Sequence, residues 1–548
     1  MAKAQAAPQL RGKKNKGHAI TCSNEVGILI AILCLAAVGM LYEFSSSTSP
    51  LPSGSSSLRR AAESSSSAQQ ADGMMPAPPM PIFAPVPNAE QLMEDAYAGK
   101  PTLGGIMAIM QKYIYDLHMM NHRLAKKKAH RVEIIHDLFS LTETQLGRLD
   151  DVYSGKPIFP IREDDSVFFS LAAFREHLLA PTMVQAFSKA KNPDKIFVGA
   201  VVQNCFGKVG EDGHTIDTSG LPCRTGHQVV GKDAQGHDMT KVSDAPPDKN
   251  GIEEFCAMPD YKKYCDNGQV RVLYVHDTDA LGPAMARYYA SKLWAGETYF
   301  MQTDSHLLFA QDWDAKYRGE LQATGNYPKS ILSSYPPGFD GGDGEEVRES
   351  PGARLCACMT RLEDPNPIVR INTGVGYHGS EPRPTQIPFM AAGFFFTRGE
   401  FLVDVPFDPY MPWLFMGEEL ALSIRSWTHG WVMYAPRINW IAHHYRPGRL
   451  GLPKFWEPVN NLFEGSTGNN RLQEPVINRV KHLLGYPEAL GKIQEEQMEV
   501  VLTGFDTYGL GKEKTREEYM EYAHMKIDLA HNAIMCSTNT WCNQGTKE

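Results

Sequence analysis

Apolar runs of strand length alternate with helical patterns from Asp165 onward. SVFFSLAAF and KIFVGAVVQ predict two buried strands, and the amphipathic segment HLLAPTMVQAFSKAK between them predicts a helix. The alternation resumes in QVRVLYVH, GPAMARYYASKLWAG, ETYFMQT, PFMAAGFFFTRGEF, the helical pattern over 417–429 and WVMYAP. Because a strand, a helix and a strand in series form a parallel β-α-β unit, the pattern predicts an α/β domain, bounded here at residues 160–515.

Two segments do not share this pattern. Residues 207–269 are polar, rich in glycine and weakly periodic, so we interpret them as an insertion loop. Residues 516–548 carry no usable periodicity and are assigned as a C-terminal tail.

A helical region precedes the domain at residues 102–150. Its apolar residues alternate spacings of four and three, as coiled-coil core positions do: Ile106, Met110, Tyr113, Leu117, Met120 and Leu124. The repeat breaks at AKKKAHR after only two heptads. Two interpretations stay open. The favoured one is a helix packed on the following domain, and the other is a stem coiled coil that makes a homodimer.

The N-terminal residues predict a membrane anchor. Residues 1–24 carry five basic side chains and no acidic one, and an uncharged run follows from Val26 to Tyr42. A helix of that length spans about 25 Å, the short end of what crosses a bilayer. A cleaved signal peptide is the competing interpretation, but the long basic tail favours an uncleaved signal-anchor at residues 26–42.

Charge distribution then predicts the orientation. The positive-inside rule assigns residues 1–25 to a cytosolic tail and the remainder to the lumen, and a short anchor suits a thin early-secretory membrane. Residues 43–101 are rich in serine and proline and predict an extended stem. In an oxidising lumen the following cysteines are candidates for disulfides, whose pairing the sequence leaves open: Cys205, Cys223, Cys256, Cys265, Cys356, Cys358, Cys536 and Cys542.

Composition excludes several classes of protein. The chain has 548 residues, of which 42% are hydrophobic and 21% charged, which excludes a wholly disordered or collagen-like protein. The net charge of −9 gives no indication of a nucleic-acid partner. No Gly-x-Ser-x-Gly elbow and no Walker-type phosphate loop occurs in the sequence.

Asp304-Ser305-His306 is a candidate metal motif, because a carboxylate and an imidazole two residues apart can both bind a divalent cation. The Asp-x-His pattern also occurs at 116–118 and 212–214. Only Asp304 follows an apolar strand, at the carboxyl end where α/β sheets bind ligands. In isolation the triplet is more often structural than functional.

Further candidates lie before and after this motif. His443 or His444 could add a third metal ligand and Arg446 could hold a phosphate, although a histidine pair is more often a surface turn. Arg287 lies on a helix opened by Gly282-Pro283, which suits a diphosphate, or it is simply a solvated helix arginine.

Two glutamates open the helix at 417–429. Glu418 and Glu419 are either functional or simply favourable charge at a helix N-terminus. Arg425, two turns further on a similar face, is expected to pair with Glu418.

Taken in order, these segments resemble glycosyltransferase family 60, the polypeptide α-N-acetylglucosaminyltransferases, which are distantly similar to mucin-type polypeptide N-acetylgalactosaminyltransferases. The resemblance covers about 166–511 and rests on four blocks: SVFFSLAAFREHLLAPTMVQAFSKAKNPDKIFVGAVVQ, DALGPAMARYYASKLWAGETYFMQTDSHLLFAQDWD, PFMAAGFFFTRGEFL, and LFMGEELALSIRSWTHGWVMYAP with HHYR. It implies a GT-A (Rossmann-like) fold that binds a UDP-sugar.

The resemblance also implies residue roles. Asp304 and His306 match the family's metal motif, and His443 matches a third ligand, with His444 as substitute if the register differs by one. The cation is expected to be Mn²⁺. Glu418 matches a residue that contacts the donor sugar, and with Asp304 it is assigned to the catalytic set. The residues matched to donor binding are Arg287, Gly393, Arg446 and Arg175. The chain departs from the family at Arg175-Glu176, where Arg-Asp is usual.

The expected activity is therefore retaining, metal-dependent transfer of GlcNAc from UDP-GlcNAc to a polypeptide hydroxyl of Thr, Ser or hydroxyproline. The anchor favours a type II Golgi membrane protein with a lumenal catalytic domain. Two alternatives stay open: a UDP-GalNAc transferase, and a catalytically inactive, membrane-tethered binding protein of the same fold.

Overall fold

A mixed eight-stranded sheet runs through the structure, a computed structural model that describes residues 87–210, 215–232, 238–339, 346–364, 366–372, 375–376, 381–445, 462–463, 468–487, 489, 501–536 and 540–543. Its strands, numbered along the chain, are β1 Val167–Phe174, β2 Ile196–Asn204, β3 Val270–His276, β4 Tyr299–Thr303, β5 Ser330–Ser333, β6 Thr385–Gln386, β7 Phe394–Arg398 and β8 Val432–Ala435.

The order of these strands across the sheet is β6-β8-β5-β7-β4-β1-β2-β3. As the β-α-β pattern predicts, β4, β1, β2 and β3 are mutually parallel. β7 runs antiparallel between β4 and β5, whereas β8 is parallel to β5 and β6 is antiparallel to β8. The carboxyl ends of β1 and β4 therefore lie at one edge of the sheet, where β7 begins.

Both faces of the sheet are covered, which explains why its strands are apolar at nearly every position. Along β1, Phe168 packs into one hydrophobic cluster with the helix Leu103–Lys126. Its neighbour Phe169 points to the opposite face and packs into a second cluster with the helix Leu179–Ser188. The result is a three-layer α/β domain.

The helices predicted after β1, after β3 and over 417–429 are present as Leu179–Ser188, Pro283–Ser291 and Glu418–Thr428, and the structure adds several that the sequence did not predict. The helices among the described residues are Ala89–Tyr97, Leu103–Lys126, Arg131–Thr142, Arg148–Val152, Leu179–Ser188, Gly251–Ala257, Pro259–Asp266, Pro283–Ser291, Trp313–Gln322, Phe401–Asp404, Glu418–Thr428, Gly468–Leu484, Phe505–Tyr508, Arg516–Tyr522 and Thr540–Asn543. A π-helical turn (Glu143–Gly147) and two 3₁₀ turns (Pro193–Lys195, Asp277–Asp279) connect some of them.

Short two-stranded ladders complete the fold. The pairs are Lys208–Val209 with Ile216–Asp217, Cys223–Lys232 with Asp238–Ala245, Leu307–Phe309 with Ile441–His443, Ser350–Pro351 with Ile438–Asn439, Ala353–Arg354 with Val375–Gly376, Cys358–Thr360 with Val369–Ile371, and Met525–Asp528 with Ala533–Cys536.

The helical region before the domain packs on the domain itself. Its a/d residues are all buried in the chain's own core: Ile106, Met110, Tyr113, Leu117, Met120 and Leu124. This packing agrees with the favoured interpretation of a helix packed on the following domain. Within the range 43–101 predicted as an extended stem, the described residues instead include the helix Ala89–Tyr97.

The interpretation of 207–269 as a loop is wrong for most of the segment. A hairpin pairs Cys223–Lys232 with Asp238–Ala245, and two helices follow. Phe255 on the first of these helices is fully buried and its ring lies 5.3 Å from that of Phe187. The disulfides Cys205–Cys223 and Cys256–Cys265 cross-link the segment. Covalent cross-links of this kind produce no periodic pattern of apolar residues, so this structure leaves no sign in the sequence.

The boundary predicted at residue 515 is also wrong, because much of 516–548 belongs to the domain. Thr515 and Glu518 form a capping box that starts the helix Arg516–Tyr522, and a hairpin follows it. Disulfides Cys358–Cys536 and Cys356–Cys542 attach this segment to the preceding part of the domain.

The predicted cytosolic tail 1–25, the anchor 26–42 and the stem as far as residue 86 lie outside the described residues. In the part of the chain that the structure describes, none of the helices is long and apolar enough to span a membrane.

Candidate active site

Asp304 and Gly393 meet at the carboxyl edge of the sheet. Asp304 follows β4 and Gly393 precedes β7, and the antiparallel register that pairs Phe394 with Thr303 places them opposite each other. The Asp304 amide donates to the Gly393 carbonyl at 3.2 Å. A Cβ atom at residue 393 would lie 3.2 Å from Oδ2 of Asp304, so glycine allows the backbone to approach this carboxylate.

His443 reaches the same carboxylate through a short ladder. Leu307–Phe309 pairs with Ile441–His443 in a register that sets His443 opposite Leu307, next to His306. Nε2 of His443 lies 2.9 Å from Oδ2 of Asp304, and the two histidine rings are 4.6 Å apart. One ligand atom each of Asp304, His306 and His443 lies within 4.8 Å of the others. A carboxylate with two imidazoles suits a borderline divalent cation.

The adjacent His444 does not join this group. Successive residues of an extended strand point to opposite sides, and the His444 ring lies 5.3 Å from that of Phe339. The structure therefore brings His443, and not its substitute His444, together with Asp304 and His306.

The electrostatic environment favours the protonation states that bind a cation. Burial lowers the pKa of His306, which keeps its imidazole neutral. Burial alone would raise the pKa of Asp304, but the hydrogen bond from His443 and the nearby positive charges, including Arg287, hold it well below its usual range. An ionised carboxylate beside a neutral imidazole is a ligand set ready for metal.

Arg287 connects Asp304 to Glu418. Its Nη1 donates to Oε1 and Oε2 of Glu418 at 2.6 and 2.5 Å, and its Nη2 donates to Oδ1 of Asp304 at 3.1 Å. Arg425, expected to pair with Glu418, instead donates to the carbonyls of Pro406 and Gly509. The expected pairing of Arg425 with Glu418 is wrong, because Arg287, on a helix from another part of the chain, supplies the positive charge beside Glu418.

Glu419 supports the turn that carries Gly393. Its carboxylate accepts from the Ala392 amide at 3.1 Å and from the Tyr335 hydroxyl at 3.0 Å. Burial raises the pKa of Glu419 to about 7, and the charge of Glu418 adds to the shift. Both glutamates therefore have specific partners and are more than N-terminal helix charge.

Two predicted donor residues lie apart from this group. Arg175 donates from Nε and Nη2 to Asp248 at 2.7 and 3.0 Å, and its Nη1 lies 3.6 Å from Asp277. The structure thus gives its guanidinium partners within the chain and does not bring it to Asp304. Arg446 lies outside the described residues.

The roles of Glu176 and Tyr335 are not evident from the sequence patterns described above. Oε2 of Glu176 lies 2.9 Å from Nδ1 of His306. Both residues follow central strands, Glu176 after β1 and Tyr335 shortly after β5. Asp304 was selected because α/β sheets bind ligands at the carboxyl ends of their strands. Applying the same criterion to every strand of the sheet would also have selected Glu176 and Tyr335.

A second group of possible metal ligands, Cys205, His276 and Asp277, has a different explanation. Cys205 forms a disulfide with Cys223, so it offers no thiolate. His276 is bonded through both ring nitrogens, to the Gly207 carbonyl and the Thr278 hydroxyl, each at 2.8 Å. The group is structural.

The family model described as Glycosyltransferase (GlcNAc) matches residues 166–530, more than half of the chain. The chain belongs to this family of GlcNAc glycosyltransferases. The match runs past residue 515, in agreement with the position of the C-terminal helix in the fold.

Similar solved structures include two glycosyltransferases. A structure of GalNAc-T7 with UDP, GalNAc and Mn²⁺ shares 13% identity at a TM-score of 0.36, over 65% of this chain and 56% of that one. The chain thus spans little more than half of GalNAc-T7. Residues 1–349 of TarS from S. aureus with UDP-GlcNAc share 10% identity at a TM-score of 0.28, over 63% of this chain and 80% of that one. No curated protein matches the sequence.

Proposed function

We propose that this GlcNAc glycosyltransferase is a retaining, metal-dependent enzyme that moves GlcNAc from UDP-GlcNAc to a hydroxyl of a polypeptide. The observation that carries the proposal is the convergence of Asp304, His306 and His443 at the carboxyl edge of the sheet. The acceptor would be Thr, Ser or hydroxyproline, as the resemblance to family 60 implies.

The ligand atoms present fit a divalent cation, which we take to be Mn²⁺. Asp304, His306 and His443 would hold it through one oxygen and two nitrogens. When bound, the cation supplies Lewis-acid stabilisation of the negative charge that grows on the leaving diphosphate.

The chain's own residues orient the donor. Arg287 adds fixed positive charge beside Asp304, and Arg446 is proposed to bind the diphosphate. Glu418, held by two short contacts to Arg287, would accept hydrogen bonds from the sugar hydroxyls and fix the ring. The Ala392-Gly393 turn would let backbone approach the sugar without a Cβ in the way.

We propose that the transfer retains the anomeric configuration without a covalent intermediate on a carboxylate. The acceptor oxygen would attack the anomeric carbon on the face that the diphosphate leaves, forming a C–O bond as the bond to the β-phosphate oxygen breaks. The acceptor proton would pass to that phosphate oxygen. Glu418 would then orient the sugar and not act as a base.

We also propose a type II orientation in the Golgi membrane, with residues 1–25 cytosolic, 26–42 as anchor and the catalytic domain lumenal. The four disulfides among the described residues support an oxidising compartment, since such bonds are rare in cytosolic proteins. A protease-protection assay on microsomes tests this: the domain should resist digestion until detergent is added.

The deciding experiment measures UDP release by the full-length protein in detergent. Mn²⁺-dependent release from UDP-GlcNAc, abolished by EDTA and by Asp304→Ala, would establish donor and metal site. Faster release from UDP-GalNAc would instead establish the alternative donor. No release from either by folded protein would favour the binding-protein alternative, against which the paired contacts of Arg287, Glu418 and Asp304 argue.

A further inference from the structure

Glu176 is a buried carboxylate directly behind the candidate metal site. Its side chain is only 1% exposed, and it follows β1 at the same sheet edge as Asp304. One carboxylate oxygen, Oε1, accepts from the Leu178 amide at 2.8 Å, at the start of the helix Leu179–Ser188. The other, Oε2, lies 2.9 Å from Nδ1 of His306. Both oxygens therefore have specific partners.

This contact engages one of the two ring nitrogens of His306. Because Nδ1 of His306 lies against Glu176, Nε2 is the ring nitrogen on the side away from this carboxylate. A carboxylate behind a metal-binding histidine fixes the ring orientation and makes the ligand nitrogen more basic. His443 differs, because within the described part of the chain its buried Nδ1 has no hydrogen-bond partner. Of the two rings, His306 is the one fixed from behind by a carboxylate.

We propose that Glu176 is a positioning residue for metal binding, which holds His306 with Nε2 directed toward Asp304 and His443. The inference rests on the proposed metal site. Glu176 acts through His306 and takes no part in the transfer itself.

The test measures Mn²⁺ affinity of the full-length protein by electron paramagnetic resonance of the free ion, without donor. Glu176→Gln should bind Mn²⁺ about 10- to 100-fold more weakly, as loss of an outer-shell partner does elsewhere. Glu176→Asp keeps the charge but shortens the reach, and we expect a similar loss. The matched control is Glu320→Gln, which changes a buried glutamate that binds Arg437 away from this site and should leave the affinity unchanged.

A kinetic readout separates positioning from a general loss of structure. In both Glu176 variants the Mn²⁺ concentration for half-maximal UDP release should rise about tenfold or more, whereas kcat at saturating Mn²⁺ should return to within a few-fold of wild type. If Glu176→Gln does not fold, Glu176→Asp decides the question alone.

The outcomes distinguish this inference from the proposed function. Mn²⁺ affinity within twofold of wild type in a folded Glu176 variant would overturn the positioning role, even if Asp304→Ala abolishes binding. If the wild-type protein itself bound no Mn²⁺ and released no UDP, the proposed function would fail, and this inference with it.

Discussion

Arg287 and Glu418 form a buried ion pair between two helices, although 131 positions separate them in the sequence. The side chains are 7% and 5% exposed, and the same guanidinium also contacts Asp304. Burial would lower the pKa of Arg287, but the charges of Glu418 and Asp304 raise it, so the guanidinium stays positively charged. The pair links the start of the helix Glu418–Thr428 to the candidate metal site.

Arg287→Lys should lower kcat by about 10- to 100-fold, because one ammonium group cannot reach Glu418 and Asp304 with the geometry of a guanidinium. The control is Arg271→Lys, which alters a buried pair with Glu297 outside the site, at 2.6 Å. That variant should lose thermal stability and keep kcat. Equal kcat losses in the two variants would remove the special role of Arg287.

Glu418→Ala should lower kcat at least about tenfold, since a residue that orients the sugar contributes mainly in the transition state. Glu418→Gln, which keeps the shape but not the charge, should show an intermediate loss. Initial rates of UDP release at saturating donor measure both. A loss below tenfold for Glu418→Ala would contradict the orienting role.

Gly393→Ala should weaken Mn²⁺ binding about tenfold, because the new Cβ would press on the Asp304 carboxylate from 3.2 Å. The matched control is Gly319→Ala, on the helix Trp313–Gln322, where a Cβ meets nothing within 4 Å. Its Mn²⁺ affinity should equal that of wild type. Unchanged affinity in Gly393→Ala would show that the turn can move away from Asp304 without cost.

Glu419 should make stability depend on pH. Its pKa is raised from 4.5 to about 7, so the stabilisation relative to the permanently neutral Glu419→Gln variant is full below pH 4.5. It is lost as pH rises through about 7, where the buried carboxyl ionises. Thermal unfolding in EDTA from pH 4 to 8 measures this. The Tm of wild type minus that of Glu419→Gln should fall over this range, and a constant difference would contradict the prediction.

The sequence predicted the strands and helices of the parallel half well because their signal is local. β1 and β2 carry unbroken apolar runs, and such runs require burial on both faces of a sheet. The segments 207–269 and 516–548 failed for the opposite reason. Their helices are short, and disulfides such as Cys358–Cys536 join residues far apart in the chain.

The local pattern of the chain is enough to place Asp304 after a buried strand and the histidines after another apolar segment. The choice between His443 and His444 depends on the folded structure, because strand register, which the local pattern does not reveal, directs the His443 ring to Asp304 and the His444 ring away from it. The folded structure also replaced Arg425 by Arg287 as the partner of Glu418 and placed Glu176 behind His306. The strength of a charge pair depends on the distance between the two groups in space. For residues far apart in the sequence, the fold alone determines that distance.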